Sequence, residues 1–458
     1  MNYKWSEMVL QKMDKYRKVM FEAERFIWEH PQTGFKEWEA HNYLKEKLTD
    51  MGFELTEAGD IPGFYFDINT GKEGPVVAIV GELDALIVSE HPESNSQTGA
   101  VHACGHNCQV SALLGVAGVL SETGILSELC GKIRIVAVPA EELIELNERA
   151  NMRTEGKIKF LSGKSEFMRR GYFDGVDIAM MIHTDGGEKP GLFIGIGTSG
   201  IMAKRITYYG SKNVNGATPV NGINALYAAQ NAMSAINALR ETFPHKQNVC
   251  NHSIITEGGT SVVHMPSKVV IESHIRAYDY EVLKTVNEKI NRAYASAALA
   301  FGAQVTIEDL ELYMPENDCN NSQLVQIAYE VGCDLLGQEN VKINRERDRR
   351  SPGGTDMGNL GAVIPVIQPY STGAVGMAHS PDYQIEYPEY AVLHPAAVHA
   401  AIACVLLENG GEKARKVIAE YKPVFSSIEE YCEEMEKVYR IKKPVKYNED
   451  GSATLSWS

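Results

Sequence analysis

The feature that most constrains this chain is a short chemical stretch held between two apolar runs. Val76 to Val80 is a β-branched, strand-like run that continues into Gly81-Glu82-Leu83-Asp84-Ala85-Leu86, and Val110 to Leu120 has the composition of a buried helix. Between them stands Val101-His102-Ala103-Cys104-Gly105-His106-Asn107-Cys108. A thiol and an imidazole two residues apart at the mouth of a buried helix suit a metal, because Cys supplies a soft thiolate and His a neutral nitrogen. A Cys-x-His pair by itself is more often a buried small hydrophobe beside a hydrogen-bonded histidine. Its weight here comes from the acids and histidines that follow.

Those residues arrive at regular points in an alternating pattern. Lys132 to Val138 is a β-branched run typical of a buried strand and ends at Pro139-Ala140-Glu141-Glu142. A long polar segment from about Asn147 to Lys164 separates it from a helix, Ser165 to Arg170. The strand Val176 to Ile182 then delivers His183-Thr184. Strand alternating with helix predicts an α/β sheet with helices on both faces. From about Gly195 to Asp309 the texture changes. Ala203 to Tyr209 alternates like an edge strand, Gly222 to Leu239 and Glu281 to Phe301 read as helices, and Asn251 to Glu257, Val269 to Ala277 and Gln304 to Glu308 read as strands. That order is ferredoxin-like and predicts a smaller α+β domain inserted into the larger one. The expected organisation is a catalytic domain over 1–195 and 310–425, an insert over 196–309, and a peripheral C-terminal extension over 426–458.

The second part of the main domain contributes helix Ser322 to Leu336, the loop Ser351-Pro352-Gly353-Gly354-Thr355-Asp356-Met357-Gly358, strand Ala362 to Gln368, a loop bearing His379, and a helix from Tyr390 to Leu407. The glycine-rich loop lacks the helix and following Lys of a phosphate cradle and reads as a substrate wall. A net charge of −16 argues against a nucleic-acid or anionic-membrane surface. No apolar run is expected to reach the roughly 18 to 20 residues of a membrane helix, and the N-terminus runs straight into amphipathic helix without a signal-peptide core. The eight cysteines, at 104, 108, 130, 250, 319, 333, 404 and 432, show no pairing framework. Reduced thiols in a cytoplasm are expected.

In open α/β sheets, ligand chemistry gathers at the carboxyl ends of strands. Asp84, Cys104, His106, Glu141, Glu142, His183 and His379 all fall just after a strand or in a loop. Five donors of these types suffice for two metals sharing a bridge. Two divalent ions about 3.5–4 Å apart together polarise a carbonyl and acidify a water. Glu141 and Glu142 point apart if extended, so one can ligate while the other faces substrate as a general base. The alternative for that pair is a solvated helix start favoured by the helix dipole.

His102-Ala103-Cys104-Gly105-His106-Asn107, Pro139-Ala140-Glu141-Glu142, His183-Thr184 and His379-Ser380-Pro381 resemble successive motifs of the peptidase M20 metallohydrolases. The resemblance is to the amidohydrolase branch of aminobenzoyl-glutamate hydrolases, indole-acetyl-amino-acid hydrolases and aminoacylase-like dipeptidases. Glu29-His30-Pro31-Gln32-Thr33-Gly34-Phe35, Gly222-Ile223-Asn224-Ala225-Leu226, Gly258-Gly259-Thr260 and Thr355-Asp356-Met357-Gly358-Asn359 support it, and it spans about residues 15 to 410. It implies a zinc-exopeptidase-like catalytic domain whose ferredoxin-like insert is a lid and a homodimer interface. It also implies two divalent metal ions per chain, zinc or manganese, held by Cys104, His106, Glu142, His183 and His379. Glu141 would be the general base toward a metal-activated water, and Asp84 would support the site from behind.

Three departures stand out. The family's lid His falls on Val214, its Asn after Gly-Gly-Thr falls on Val263 beside His264, and the span from Glu142 to His183 is longer than usual. Asn213, Asn215 or His264 are the candidates to replace the lost polar contacts. Arg276 is a candidate for a substrate carboxylate or else an ion pair within the lid, and Thr355 and Asp356 are candidate substrate contacts. The expected function is cleavage of the amide C–N bond of a small N-acyl amino acid or dipeptide-like compound. Two alternatives stand beside it: hydrolysis or deamination of a non-peptidic aromatic amine or amide, and a catalytically silent metal-binding subunit partnered with a related chain.

Overall fold

The parallel strands that the apolar runs predict lie side by side in a computed structural model, which describes residues 4–315, 322–344 and 350–457. The central sheet runs in the order Thr56–Glu57, Phe64–Asn69, Lys132–Val138, Val76–Glu82, Ile178–Met180, Val366–Ile367. Its last four strands are parallel, with Glu82 opposite Val138 and Val77 opposite Ile178. Their carboxyl ends therefore open on one edge, and that edge receives Glu82, Asp84, Glu141, Glu142 and His183. The first two strands are antiparallel additions at the far side.

Helix His106–Leu120 packs against this sheet with every residue buried, and helix His394–Leu407 packs against that helix. The second extends an irregular turn, Glu389–Leu393, so the continuous helix from Glu389 to Leu407 has 19 residues and is long and apolar enough to cross a membrane by length and composition. This corrects the expectation that no such run exists. Its most apolar 18-residue window is 89% buried inside the protein, which marks it as a core helix. Cys319 lies outside the described residues, and the other seven cysteines are unpaired.

The second sheet is antiparallel, in the order Cys250–Glu257, Lys268–Ala277, Gly200–Tyr209, Gln304–Tyr313, Arg440–Lys442, with helices Ala225–Leu239 and Tyr280–Phe301 packed against it. Asn224 and Asp279 cap those helices by accepting the backbone N–H of Leu226 at 2.9 Å and of Val282 at 3.0 Å. The strand read as an edge, Ala203 to Tyr209, is instead the central one. Its polar residues are satisfied by neighbours: Lys204 pairs with Asp309 and donates to Asn287 at 2.7 Å, and Arg205 binds both oxygens of Glu308 at 2.6 and 2.8 Å. Alternation here reports pairing across strands, not solvent on one side.

Two further differences matter for the site. The polar segment 147–164 contains a helix, Leu146–Thr154, which buries Arg149 with its Nη1 donating to Leu161 O at 2.9 Å. The C-terminal extension is not peripheral. It adds the strand Arg440–Lys442 to the second sheet and buries Tyr431 and Met435 from helix Ile428–Val438.

Candidate dimetal active site

The chain reverses sharply just before both key motifs. Gly105 sits at φ 77° between Cys104 and His106, in the left-handed region that glycine enters freely. Ala140 at φ 56° and His379 at φ 65° occupy the same region without that freedom, so neighbours must hold them. Ala140 N donates to Glu37 Oε1 at 2.7 Å, its carbonyl accepts from Gly163 N at 3.2 Å, and His379 N donates to Ala103 O at 2.8 Å. Gly34, in the Gln32-Thr33-Gly34-Phe35 stretch, is required beneath this turn. A Cβ there would stand 2.9 Å from the Ala140 Cα and closer still to the Arg149 guanidinium.

These turns bring the five predicted donors together. Cys104 Sγ lies 3.4 Å from His183 Nε2 and 3.2 Å from His379 Nε2, which is itself 3.0 Å from Glu142 Oε1. His106 Nδ1 is 2.9 Å from the Asp84 carbonyl and 3.2 Å from its Oδ1, which leaves Nε2 pointing into the site. Asp84 Oδ2 accepts the Glu142 backbone N–H at 2.8 Å, so one buried carboxylate orients two neighbouring donors. His106 Nε2 and Glu142 Oε1 are buried without a hydrogen-bond partner. The close approach of Glu142 Oε1 to His379 is a convergence of donors on one point, not a hydrogen bond between them.

The donors fall into two groups that share a sulfur: Cys104 with His106 and His183, and Cys104 with Glu142 and His379. In each group the donor atoms all lie within 4.8 Å of one another. Bonds from zinc to sulfur or nitrogen are about 2.0–2.3 Å, so each group has the spread of a single coordination sphere. With the orphaned His106 and Glu142 atoms, these residues would fit divalent ions, which they would hold as Lewis acids. Burial and Glu142 push the Cys104 thiol up, yet His379, His183 and His106 together bring it down to about 6, which favours thiolate. Burial opposes ionisation of Glu142, but His379 holds it well below the usual carboxylate range, and His379 is itself pushed up to about 12 by Glu142 and then Cys104.

Glu141 differs from its neighbour. Its backbone carbonyl accepts from the Tyr313 hydroxyl, while its carboxylate makes no hydrogen bond to any described residue and faces the cleft. Burial, and then the charges of Glu82, Glu142 and Asp356, push it well above the usual carboxylate range. The cleft holds about 1320 Å³ between the two sheets. Across from Glu141 it is lined by His274 and Arg276 of strand Lys268–Ala277, and Thr355 lines its wall.

The remaining predicted contacts fall elsewhere. Asp356 is fully buried beneath the cleft, where it is held by Lys164. Asn215 and His264 pair with each other at the far end of the lid and do not line the cleft. Arg276 has no carboxylate among the described residues within 4 Å, and donates at 3.3 Å to the Pro352 carbonyl. Sequence reasoning missed Glu82, Lys164, Tyr313 and His274. For His274 a signal existed, since Glu272, His274 and Arg276 alternate onto one face of their strand.

The model of peptidase family M20/M25/M40 matches residues 78–404, which takes in every one of these donors. The chain belongs to this family. Among family relatives, it is 27% identical over 305 residues to N-acetyl-L-cysteine deacetylase of Bacillus subtilis, covering 64% of this chain and 67% of that one. It is 28% identical over 412 residues to IAA-amino acid hydrolase ILR1-like 2 of Arabidopsis thaliana, covering 87% and 86%. A Bacillus subtilis structure described as a dinuclear metal binding peptidase from the M20 family superposes with a TM-score of 0.58 at 21% identity, over 86% of this chain and 99% of that one. Like its relatives in the family, the chain is a hydrolase with an α/β catalytic part and an α+β lid.

Proposed function

We propose that this hydrolase cleaves the amide C–N bond of a small N-acyl amino acid or dipeptide-like compound, using two divalent ions, zinc or manganese, held by Cys104, His106, Glu142, His183 and His379. The observation that carries it is a carboxylate without a hydrogen-bond partner among the described residues. Glu141 faces the cleft beside the shared-sulfur donor pair, while Asp84, Glu82 and Asp356 are held by neighbouring groups and Glu142 faces His379. Ions held there would supply Lewis acidity toward a carbonyl and toward a water. Glu141 is placed to take the proton from the attacking water and return it to the leaving amine. Its raised proton affinity suits that return, and Tyr313 fixes its main chain.

Arg276 supplies the substrate's other handle. A guanidinium lining the cleft without an acidic partner among the described residues suits a carboxylate, which it can bind through two parallel hydrogen bonds. Relatives named for hydrolysing N-acetylcysteine and IAA-amino acids support this substrate class. The same proposal has the chain acting as a homodimer through its lid, where Tyr227 of helix Ala225–Leu239, Ile254 of the edge strand and Val220 and Val262 of the adjoining loops stand exposed.

The test is elemental analysis of the wild type and Cys104→Ser, with a panel of N-acyl amino acids assayed alongside. Two ions per chain, lost in large part in the variant, with release of free amino acid, is the expected result. Metal without amino-acid release, but with ammonia from aromatic amines, would replace the amide reading. Absence of metal after reconstitution would end both.

A further inference from the structure

Beneath Glu141 lies a group of charges that the proposed chemistry does not use. Glu82 ends the strand Val76–Glu82, Asp356 precedes the helix Met357–Gly361, and Lys164 sits in the first turn of helix Gly163–Arg169. All three are fully buried. Lys164 Nζ donates to Glu82 Oε1 and to Asp356 Oδ1, and its backbone N–H donates to Asp356 Oδ2 at 2.9 Å. The second oxygen of Glu82 accepts from Gln109 Nε2 at 2.9 Å and lies 3.2 Å from His106 Nε2.

One carboxylate oxygen from each of Glu82, Glu141 and Asp356 lies within 4.8 Å of the others, the same spread as in the two donor groups that share Cys104. Three carboxylates so placed form a hard oxygen set of the kind that takes manganese or magnesium. An ammonium already satisfies two of them. Glu82 also stands close enough to His106 Nε2 to compete for any ion that His106 holds. Without a cation of its own, this acid cluster would draw on the ions of the neighbouring centre.

We propose that Lys164 is a built-in cation that keeps Glu82 and Asp356 out of metal coordination and so leaves Glu141 free to face the substrate. It is a positioning residue, acting through the two acids it holds. A mobile divalent ion in its place would bind Glu141 as a third ligand and cancel the freedom that distinguishes it. A covalently attached ammonium, with three donors and no vacant coordination position, holds two acids and stops there. The inference rests on the reading of Cys104, His106, Glu142, His183 and His379 as metal ligands, and is independent of which amide is cleaved.

The experiment is a metal count by elemental analysis after equilibrium dialysis against manganese, on the wild type, Lys164→Met and Lys164→Arg. Lys164→Met is expected to hold about one more ion per chain than the wild type, because its three acids have lost their counter-ion. Lys164→Arg keeps the charge and is expected to keep the wild-type count. With substrate, Lys164→Met should lose kcat by about 10²-fold or more at a nearly unchanged KM, as when a general base is removed. Where the single variant does not fold, Lys164→Met with Glu82→Gln removes one buried charge of each sign, and the unheld Asp356 and Glu141 should still gain the ion. Folded variants with the wild-type metal count, or an extra ion with wild-type kcat, would overturn the proposal. A wild type without metal would instead refute the ligand assignment beneath it.

Discussion

Glu141 is distinguished from its neighbours by what it does not touch. Glu142 faces His379, Asp84 orients His106, and Glu82 and Asp356 hold Lys164, while the Glu141 carboxylate stands unpaired in the cleft. Glu141→Gln keeps the shape and removes the base. Its kcat is expected to fall by about 10²–10⁴-fold, with metal content and unfolding temperature close to wild type. Turnover within a few fold of wild type would show that the proton moves through another group. The five donors were legible in the sequence because each follows a strand or a turn, and a Cys, three His and a Glu in that order carry few other meanings. Lys164 was not legible. A lysine in the first turn of a helix reads as solvated, and its partners stand 82 and 192 residues away along the chain. The placement of Asp356 beneath the cleft has the same origin, since its loop does line the cleft from Ser351 to Thr355 and turns inward only at Asp356.

Among the elements, the pairing of helix Arg17–Glu29 with helix His106–Leu120 contains a titratable contact of its own. Glu24 Oε1 accepts from Asn107 Nδ2 at 2.8 Å, and Asn107 Oδ1 is buried with no partner. Burial pushes the Glu24 carboxyl up to about 7 against the pull of Arg25 and Asn107. A protonated Glu24 could donate to the orphaned Asn107 oxygen, so the neutral form suits the contact. The folded-state value is raised, so the stability this group contributes is complete below its unfolded pKa of about 4.5 and is lost as pH rises through about 7. A shift of that size corresponds to about 3 kcal/mol. Glu24→Gln supplies a neutral donor at every pH. It is expected to unfold at a higher denaturant midpoint than wild type at pH 8 and at the same midpoint near pH 4.5. A difference that stays constant across that range would refute the contact as the cause. The sequence located both helices from their apolar spacing, but it could not tell that Glu24 faces inward. In the second sheet, likewise, the alternation of Ala203 to Tyr209 suggested an edge, because Asp309 and Glu308, the partners of Lys204 and Arg205, come from a strand about a hundred residues later.

Across the whole molecule, the last 30 or so residues add a clasp between the two sheets beside direct links such as that of Tyr313 to Glu141. Tyr431 is buried with its hydroxyl 2.8 Å from Ser165 Oγ, and it accepts from Asn359 Nδ2 at 2.9 Å. Ser165 is adjacent to Lys164, and Asn359 is three residues from Asp356. Asn359 Nδ2 also donates to Leu312 O at 3.0 Å, in the lid strand whose next residue, Tyr313, holds Glu141. Beyond this helix, Arg440–Lys442 extends the lid sheet, and the Tyr447 hydroxyl donates at 3.0 Å to the carbonyls of Ala298 and Ala303. The extension therefore grips the catalytic layer at one end and the lid at the other. Its polar composition hid this, because the grip depends on a few spaced apolar residues and one phenol. Burying each of Tyr431, Met435 and Val445 is worth about 1.5–3 kcal/mol, a large share of the roughly 5–15 kcal/mol that holds a typical domain folded. A chain ending at Phe425 is expected to unfold in calorimetry as two transitions, both below the wild-type temperature, as the lid and the catalytic layer lose their common clasp. Tyr431→Phe keeps the packing and removes only the hydroxyl. It should cost about 1–3 kcal/mol without separating the transitions, and should lower kcat through the Lys164 and Asp356 positions that its network supports. A single transition at the wild-type temperature in the shortened chain would mean that the two layers are joined by their own interface, with the extension merely resting on them.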